Sequence, residues 1–330
     1  MPPLPPAQPT GARPAPSGRA PPRRPLVCGS VTRRPMLTTA HGTRPEAFGP
    51  AEWALLVAVA LVWGSSFLWI AIGLDHLSPP VVSLARIFLG AACLACFPKT
   101  RARVERADWP RITLLGLTWM GVPLLLYPIA QQWVDSSTAG AINGSMPLFS
   151  AALAALLLRR RPGPAQLAGL AVGFTGVLLV TLSEATGIGG SPLGIGLLVF
   201  STMLYAVAFN LAVPLTQRYG SLPVLLRAQL VALAFVLPFG IWGLPRSEWD
   251  WGAAGAMVVL GVLGSGLAFV ASTTLGARAG PVRGSIPIYF LPVVAMLLGA
   301  LVRDESIPAL AIAGVALVII GAWLSSRREG

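Results

Sequence analysis

The stretch PLFSAALAALLLRRRPGPAQLAGLAVGFTGVLL at residues 147–179 decides the fold, because it aligns without gaps onto PVVAMLLGALVRDESIPALAIAGVALVIIGAWL at residues 292–324, an offset of 145 positions. Pro147 matches Pro292, Gly169 matches Gly314, and Gly176 matches Gly321. A weaker match, shifted by a residue or two, sets Pro80, Val81 and Ala85 beside Pro223, Val224 and Ala228. Self-similarity at a fixed spacing marks a duplicated structural unit. Around these anchors the chain divides into apolar runs near residues 53–73, 80–97, 112–131, 137–158 and 165–183, then 192–213, 222–244, 251–274, 282–302 and 306–325. Each run approaches the roughly 20 residues that cross hydrocarbon as a helix. Five runs per copy is an odd number, so the second copy must cross in the opposite sense, the inverted-repeat arrangement of many secondary transporters.

Composition supports an all-α integral membrane protein. The 330 residues are 55% hydrophobic and 11% charged, with a mean hydropathy of +0.72, too apolar for a soluble chain of this length. Leu, Ala, Val and Gly fill consecutive positions, whereas a membrane barrel would alternate polarity in short segments. The expected fold is therefore ten transmembrane helices in two inverted five-helix repeats, residues 51–184 and 191–326.

The net charge of +12 raises the question of nucleic acid, but the placement of the charges answers it. With the N-terminus inside, 21 of the 24 basic residues fall on the cytoplasmic side, leaving Arg246 and Arg303 outside and Arg86 within a span. This is the positive-inside bias of a multi-pass inner-membrane protein with both termini cytoplasmic. No nucleic-acid partner is expected; the lipid bilayer is. Residues 1–50, rich in Pro and Arg, read as a disordered cytoplasmic tail. Met36 begins a more ordinary leader, which would make residues 1–35 an overlong gene-start assignment.

Chemistry-bearing motifs are sparse. His41 and His76 are the only histidines and lie in the tail and a loop, so Gly264-Ser265-Gly266 has no base within the spans to activate a serine nucleophile. No His and carboxylate cluster suits a metal, and the chain has no phosphate-binding loop for ATP. Cys93 and Cys96 sit inside an apolar run and are expected to be buried small hydrophobes. An enzyme is not expected, and no cofactor. Without a phosphate-binding loop, transport should be secondary or facilitative, and with the acids near span ends no proton carrier stands out; a membrane scaffold or receptor, or an intramembrane enzyme, is the alternative.

Trp63-Gly64-Ser65-Ser66-Phe67 in the first span, Arg86 near Phe88 in the second, Pro147-Leu148-Phe149 in the fourth and Tyr289-Phe290-Leu291-Pro292 in the ninth resemble motifs of the ten-helix EamA group in the drug/metabolite transporter superfamily. Glu305 fits the acid that group carries after its ninth span; the equivalent position after the fourth is Arg160, where family members often have Glu. The resemblance spans residues 53–325. It implies export of amino acids, small metabolites or toxic compounds.

A substrate pathway needs polar groups at mid-membrane depth beside interrupted helices. Pro147 and Pro292 are expected to kink their spans. Candidate cavity residues are Trp63, Ser66, Arg86, Tyr127, Asn143, Ser265, Ser285 and Tyr289. For the serines, interhelical hydrogen bonding is the competing reading. Arg86 would either hold a substrate carboxylate through its planar donors or serve a structural pairing, since a charge at the bilayer centre costs at least about 2.5 kcal/mol.

Overall fold

Prolines begin the helices. Pro50, Pro79, Pro164 and Pro192 each open one, where the missing N–H costs nothing and the fixed φ suits the first turn. The computed structural model describes residues 49–158, 164–185, 191–284 and 286–326, all within the compact unit Met36–Gly330. The proposed tail and alternative start, Cys28, the Arg159–Arg161 run and Ser285 lie outside the described residues.

Among the described residues the chain is helical, without strands. In order come α1 (Pro50–Leu74), α2 (Pro79–Ala95), α3 (Trp109–Leu115), a π-helical stretch (Gly116–Gly121) and α4 (Val122–Ala130). Next are α5 (Ser136–Asn143), α6 (Met146–Leu158) and α7 (Pro164–Ala185). The second half holds α8 (Pro192–Tyr219), α9 (Ser221–Gly243), α10 (Trp251–Val258), a second π-helical stretch (Val259–Leu267) and α11 (Ala268–Gly284). A 3-10 turn (Ile286–Phe290), α12 (Leu291–Arg303) and α13 (Ala309–Ser326) complete it. Gly220, at φ 81°, makes the turn between α8 and α9, a conformation side chains resist.

By length and composition, six described helices could cross a membrane: Pro50–Leu74, Arg106–Ala130, Pro192–Tyr219, Ser221–Arg246, Trp251–Arg278 and Ile286–Arg303. Pro79–Ala95, Leu167–Val180 and Ala309–Gly321 are apolar but shorter. The expected fourth span is two helices, α5 and α6, parted at Gly144 and Ser145. The count of ten expected from the apolar runs is therefore not reached by these measures. Large apolar residues such as Phe88, Phe200, Leu230 and Leu301 are exposed, the arrangement of helices whose outer faces meet lipid.

Pro147 and Pro292 do not kink continuous helices, as the sequence suggested. Each sits in the first turn of a helix, α6 and α12, after a break. A proline that lacks its donor and crowds the preceding turn is better placed at a new start than within a rod. The two breaks meet: a Cβ added to Gly144 would lie 3.0 Å from Pro292 Cδ.

The glycines that anchor the repeat also meet. A Cβ at Gly176 would sit 2.6 Å from the Gly314 carbonyl oxygen, and one at Gly321 would sit 2.6 Å from that of Gly169. Small residues thus bring the α7 and α13 backbones together, as at many membrane helix crossings.

Polar ties hold the ends of α1 to the second half. Glu52 pairs with Arg278 at 3.3 Å, and Asp75 accepts two bonds from Arg303 at 2.6 and 3.0 Å. Glu305 accepts from the Ser136 and Ser137 backbone N–H groups and the Ser136 hydroxyl at 3.1, 3.0 and 2.5 Å, satisfying donors at the start of α5. Asp250 accepts from the Ala253 N–H at 2.7 Å, and this bond holds its carboxyl below the usual range. The cysteines depart from expectation: Cys93 is only partly buried and Cys96 is exposed at the end of α2, whereas Leu94 between them is buried, so the two lie off the packed face of the helix.

Gly314→Ala should lower the melting temperature of the purified protein, because its Cβ would lie 2.8 Å from the Gly176 carbonyl oxygen; overpacking of this kind costs about 1–3 kcal/mol. Gly196→Ala, with nothing within 4 Å of the added carbon, should not lower it. Equal loss in both variants would remove the close crossing from the account.

Candidate functional site

A π-helical stretch replaces the i→i−4 ladder with wider i→i−5 bonds, and its carbonyls, each with two lone pairs, can accept further bonds from neighbouring side chains. In the second stretch two successive carbonyls find side chains. The Trp63 indole N–H donates to the Gly264 carbonyl at 3.0 Å, and the Gln229 side-chain amide donates to the Ser265 carbonyl. The Ser265 hydroxyl in turn accepts from Arg86 Nε at 3.1 Å. Helices α1, α2 and α9 therefore converge on Gly264 and Ser265. The crossing is tight at Gly261, where a Cβ would lie 2.6 Å from Leu89 Cβ and 3.1 Å from the Arg86 carbonyl oxygen, and looser at Gly264, where the nearest atom, Ser66 Oγ, would be 3.3 Å away.

Beside this junction lies a partly open cavity, with about 490 Å³ of empty space when the part continuous with solvent is included. Its aromatic wall comes from Trp63, Phe67, Trp119, Tyr127, Tyr205 and Phe269, and its apolar remainder from Ile70, Leu124, Ile288 and Leu291. The rings brace one another. Trp63 and Trp119 both meet Phe269 edge-on, with centroids 5.0 and 4.9 Å apart. Tyr127 and Tyr205 stack at 5.7 Å. Ser66, Arg86 and Asn143 supply the other polar groups.

The hydrogen bonds separate committed groups from available ones. Ser66 Oγ donates to the Val62 carbonyl at 2.9 Å, and the Tyr127 hydroxyl shares a bond with Thr202 Oγ1 at 3.2 Å. Arg86, 4% exposed, commits Nε to Ser265 and lines the cavity, and its terminal nitrogens have no hydrogen-bond partner among the described residues. Among the described residues no carboxylate pairs with it. The side-chain amide of Asn143, at the end of α5, and the Tyr205 hydroxyl have no protein partner among the described residues. Arg86 is the charged member of the lining, and no acid joins it.

Five of the sequence candidates, Trp63, Ser66, Arg86, Tyr127 and Asn143, line this cavity. Ser265 does not; it holds Arg86 from behind. Tyr289 is buried against Leu148, outside the lining, and Ser285 is outside the described residues. Sequence reasoning left out Trp119 and Phe269, whose type does not separate a cavity wall from a packed core, and Gln229. A buried amide in an otherwise apolar run was the available signal for the last. Among the described residues no His, Cys and acid cluster could hold a metal.

Among the described residues, helices with apolar outer faces surround an aromatic cavity that carries a few polar groups, the arrangement of a membrane protein with room for a small molecule. The sequence matches the EamA-like transporter family model over residues 52–182 and again over 192–327, and the chain belongs to that family. Relatives include a probable terminal-alkyne amino-acid exporter of Streptantibioticus cattleyicolor, 30% identical over 285 residues that cover 84% of this chain and 94% of the relative. An uncharacterized transporter of Archaeoglobus fulgidus is 22% identical, with 84% and 99% covered. The uncharacterized inner membrane transporter YedA of Escherichia coli is 23% identical, with 82% and 90% covered. A crystal structure at 20% identity superposes with a TM-score of 0.59 over 84% of this chain and 99% of that one, which shows the shared fold. The protein is a membrane transporter, not an enzyme.

Ser265→Ala removes the acceptor for Arg86 Nε, and Gln229→Met strands the Ser265 carbonyl. Each should lower unfolding free energy by about 1 kcal/mol. Because both act on one residue, the double variant should depart from additivity by at least about 0.5 kcal/mol. Additive losses in thermal or denaturant unfolding would mean that the two bonds are independent.

Proposed function

We propose that this protein exports small carboxylate-bearing metabolites, amino acids among the candidates, by alternating access around the central cavity. The observation that carries the reading is Arg86: a buried guanidinium with two free terminal nitrogens, facing a cavity and lacking a carboxylate partner among the described residues. A buried charge left unpaired is costly, and a substrate carboxylate accepting two parallel bonds would offset that cost. Aromatic walls would hold the apolar body of the substrate, as in most small-molecule sites. The probable amino-acid exporter among the relatives supports the substrate class and the outward direction, and the transporter names of the others support transport itself.

In this reading the chain crosses the inner membrane ten times, with repeats at 51–184 and 191–326 in opposite senses and both termini cytoplasmic. The short apolar helices and the broken α5–α6 segment are supported as crossings by the five-run repeat and the one-sided basic residues. Trp63, Ser66, Arg86, Tyr127 and Asn143 contact substrate, Ser265 positions Arg86, and the breaks before Pro147 and Pro292 loosen the two halves where they meet. Asp75–Arg303 and Glu305 with Ser136 and Ser137 lie at the end away from Glu52–Arg278, and each set would have to part when its end opens. Exchange is secondary or facilitative.

The test is release of a mixed amino-acid and carboxylic-acid panel from preloaded proteoliposomes. Intact protein should give saturable release of a subset, and Arg86→Ala should slow that subset by about 10- to 100-fold, the loss of a charged hydrogen-bonded pair worth about 1.5–3 kcal/mol. Arg86→Lys, which keeps the charge but not the planar fork, should fall between. Arg86→Ala protein that folds and transports at the wild-type rate would remove Arg86 from the mechanism.

A further inference from the structure

We infer that the cavity prefers a monoanion to a zwitterion: a carboxylate with an apolar, ring-sized body and an uncharged group on the α-carbon, such as a 2-hydroxy acid or an N-acylated amino acid. This deepens the proposed function and rests on its reading of Arg86 as the carboxylate partner.

The inference follows from the charge inventory of the lining. Arg86 contributes one positive charge, and none of the lining residues is an acid. A bound carboxylate therefore brings the site to neutrality. The α-ammonium of an amino acid would add a second positive charge in a space lined by rings and aliphatic side chains, and it would leave its hydration shell on entering.

The compensation available to that ammonium is neutral. Asn143 can offer its side-chain carbonyl, Tyr205 its hydroxyl oxygen, and the aromatic walls their faces. The other hydroxyls are engaged, Ser66 with Val62 and Tyr127 with Thr202. An uncharged α-substituent suits the same two free groups better, since Asn143 and the Tyr205 hydroxyl can each donate or accept. A 2-hydroxyl or an acylamide thus finds partners without carrying an unneutralised charge into the protein.

Three compounds sharing one skeleton separate the classes: L-phenylalanine, L-3-phenyllactate and N-acetyl-L-phenylalanine. Calorimetric titration of the full-length protein in detergent at pH 7.5 gives affinities free of passive leak, and release from preloaded proteoliposomes gives rates. The expected result is at least tenfold tighter binding of phenyllactate or the N-acetyl compound than of phenylalanine, with all binding weakened in Arg86→Ala. Asn143→Asp, which places a carboxylate in the lining, should reverse the order, raising phenylalanine and lowering both monoanions. Phenylalanine binding as tightly as the monoanions, still dependent on Arg86, would overturn the inference and leave the proposed carboxylate site standing. Binding of all three that ignores Arg86→Ala, or no binding of any at millimolar concentration, would overturn both readings. The wild-type comparison decides the matter even where Asn143→Asp fails to fold.

Discussion

A backbone carbonyl released from its helix inside a bilayer has no water to turn to, and must be met by another part of the protein. The Gly264 and Ser265 carbonyls, in the second π-helical stretch, are each met by a side chain from another helix, and these side chains set the geometry of the cavity. Trp63 is held as a wall because its indole N–H is spent on Gly264. Arg86 is aimed into the cavity because its Nε is spent on Ser265. The π-helical stretch presents both carbonyls to its neighbours, and Gly261, where a Cβ would lie 3.1 Å from the Arg86 carbonyl oxygen, lets α2 come close.

Much of this was legible in the sequence, and the limit falls at a definable place. Membrane helices announce themselves by length and apolarity, so α1, α8 and α9 follow closely from their runs. Arg86 and Asn143 stood out because a polar residue in such a run needs a reason to be there. What periodicity does not carry is side-chain direction in a run that is apolar on all faces. Trp119, Phe269 and Phe88 look alike in sequence, yet the first two are buried at the cavity and Phe88 is exposed. Ser265 was found and its role was not, since an acceptor that holds a cation in place and one that touches a ligand share the same chemistry. The break at Gly144 also escaped: Pro147 pointed to a distortion, but not that the chain would end one helix and begin another.

The packing of the two π-helical stretches is reciprocal. Helix α2 lies against the second stretch, where Gly261 faces the Arg86 carbonyl, and α9 lies against the first, where a Cβ at Gly116 would be 2.5 Å from the Ala228 carbonyl oxygen. The weak repeat match that sets Ala85 beside Ala228 sets Arg86 beside Gln229. Equivalent positions of the two copies thus carry a guanidinium and an amide, both bound to Ser265. Duplication would supply the frame twice, and divergence at this one pair leaves the charge on one side of the cavity.

That lone charge sits near the middle of α2, seven residues after Pro79 and nine before Ala95, and in the proposed ten-crossing arrangement it would stand well within the electric field of an energised membrane. Carrying one elementary charge across the whole field is worth about 2.3 kcal/mol per 100 mV. An empty protein whose Arg86 shifts through part of that field is drawn by an inside-negative voltage toward the conformation that sets the guanidinium nearer the cytoplasm. Once a carboxylate neutralises it, the same movement becomes nearly indifferent to voltage. The resting potential would then favour the return of the unloaded carrier to the side where substrate is waiting, giving outward transport a bias that requires neither a proton nor a nucleotide.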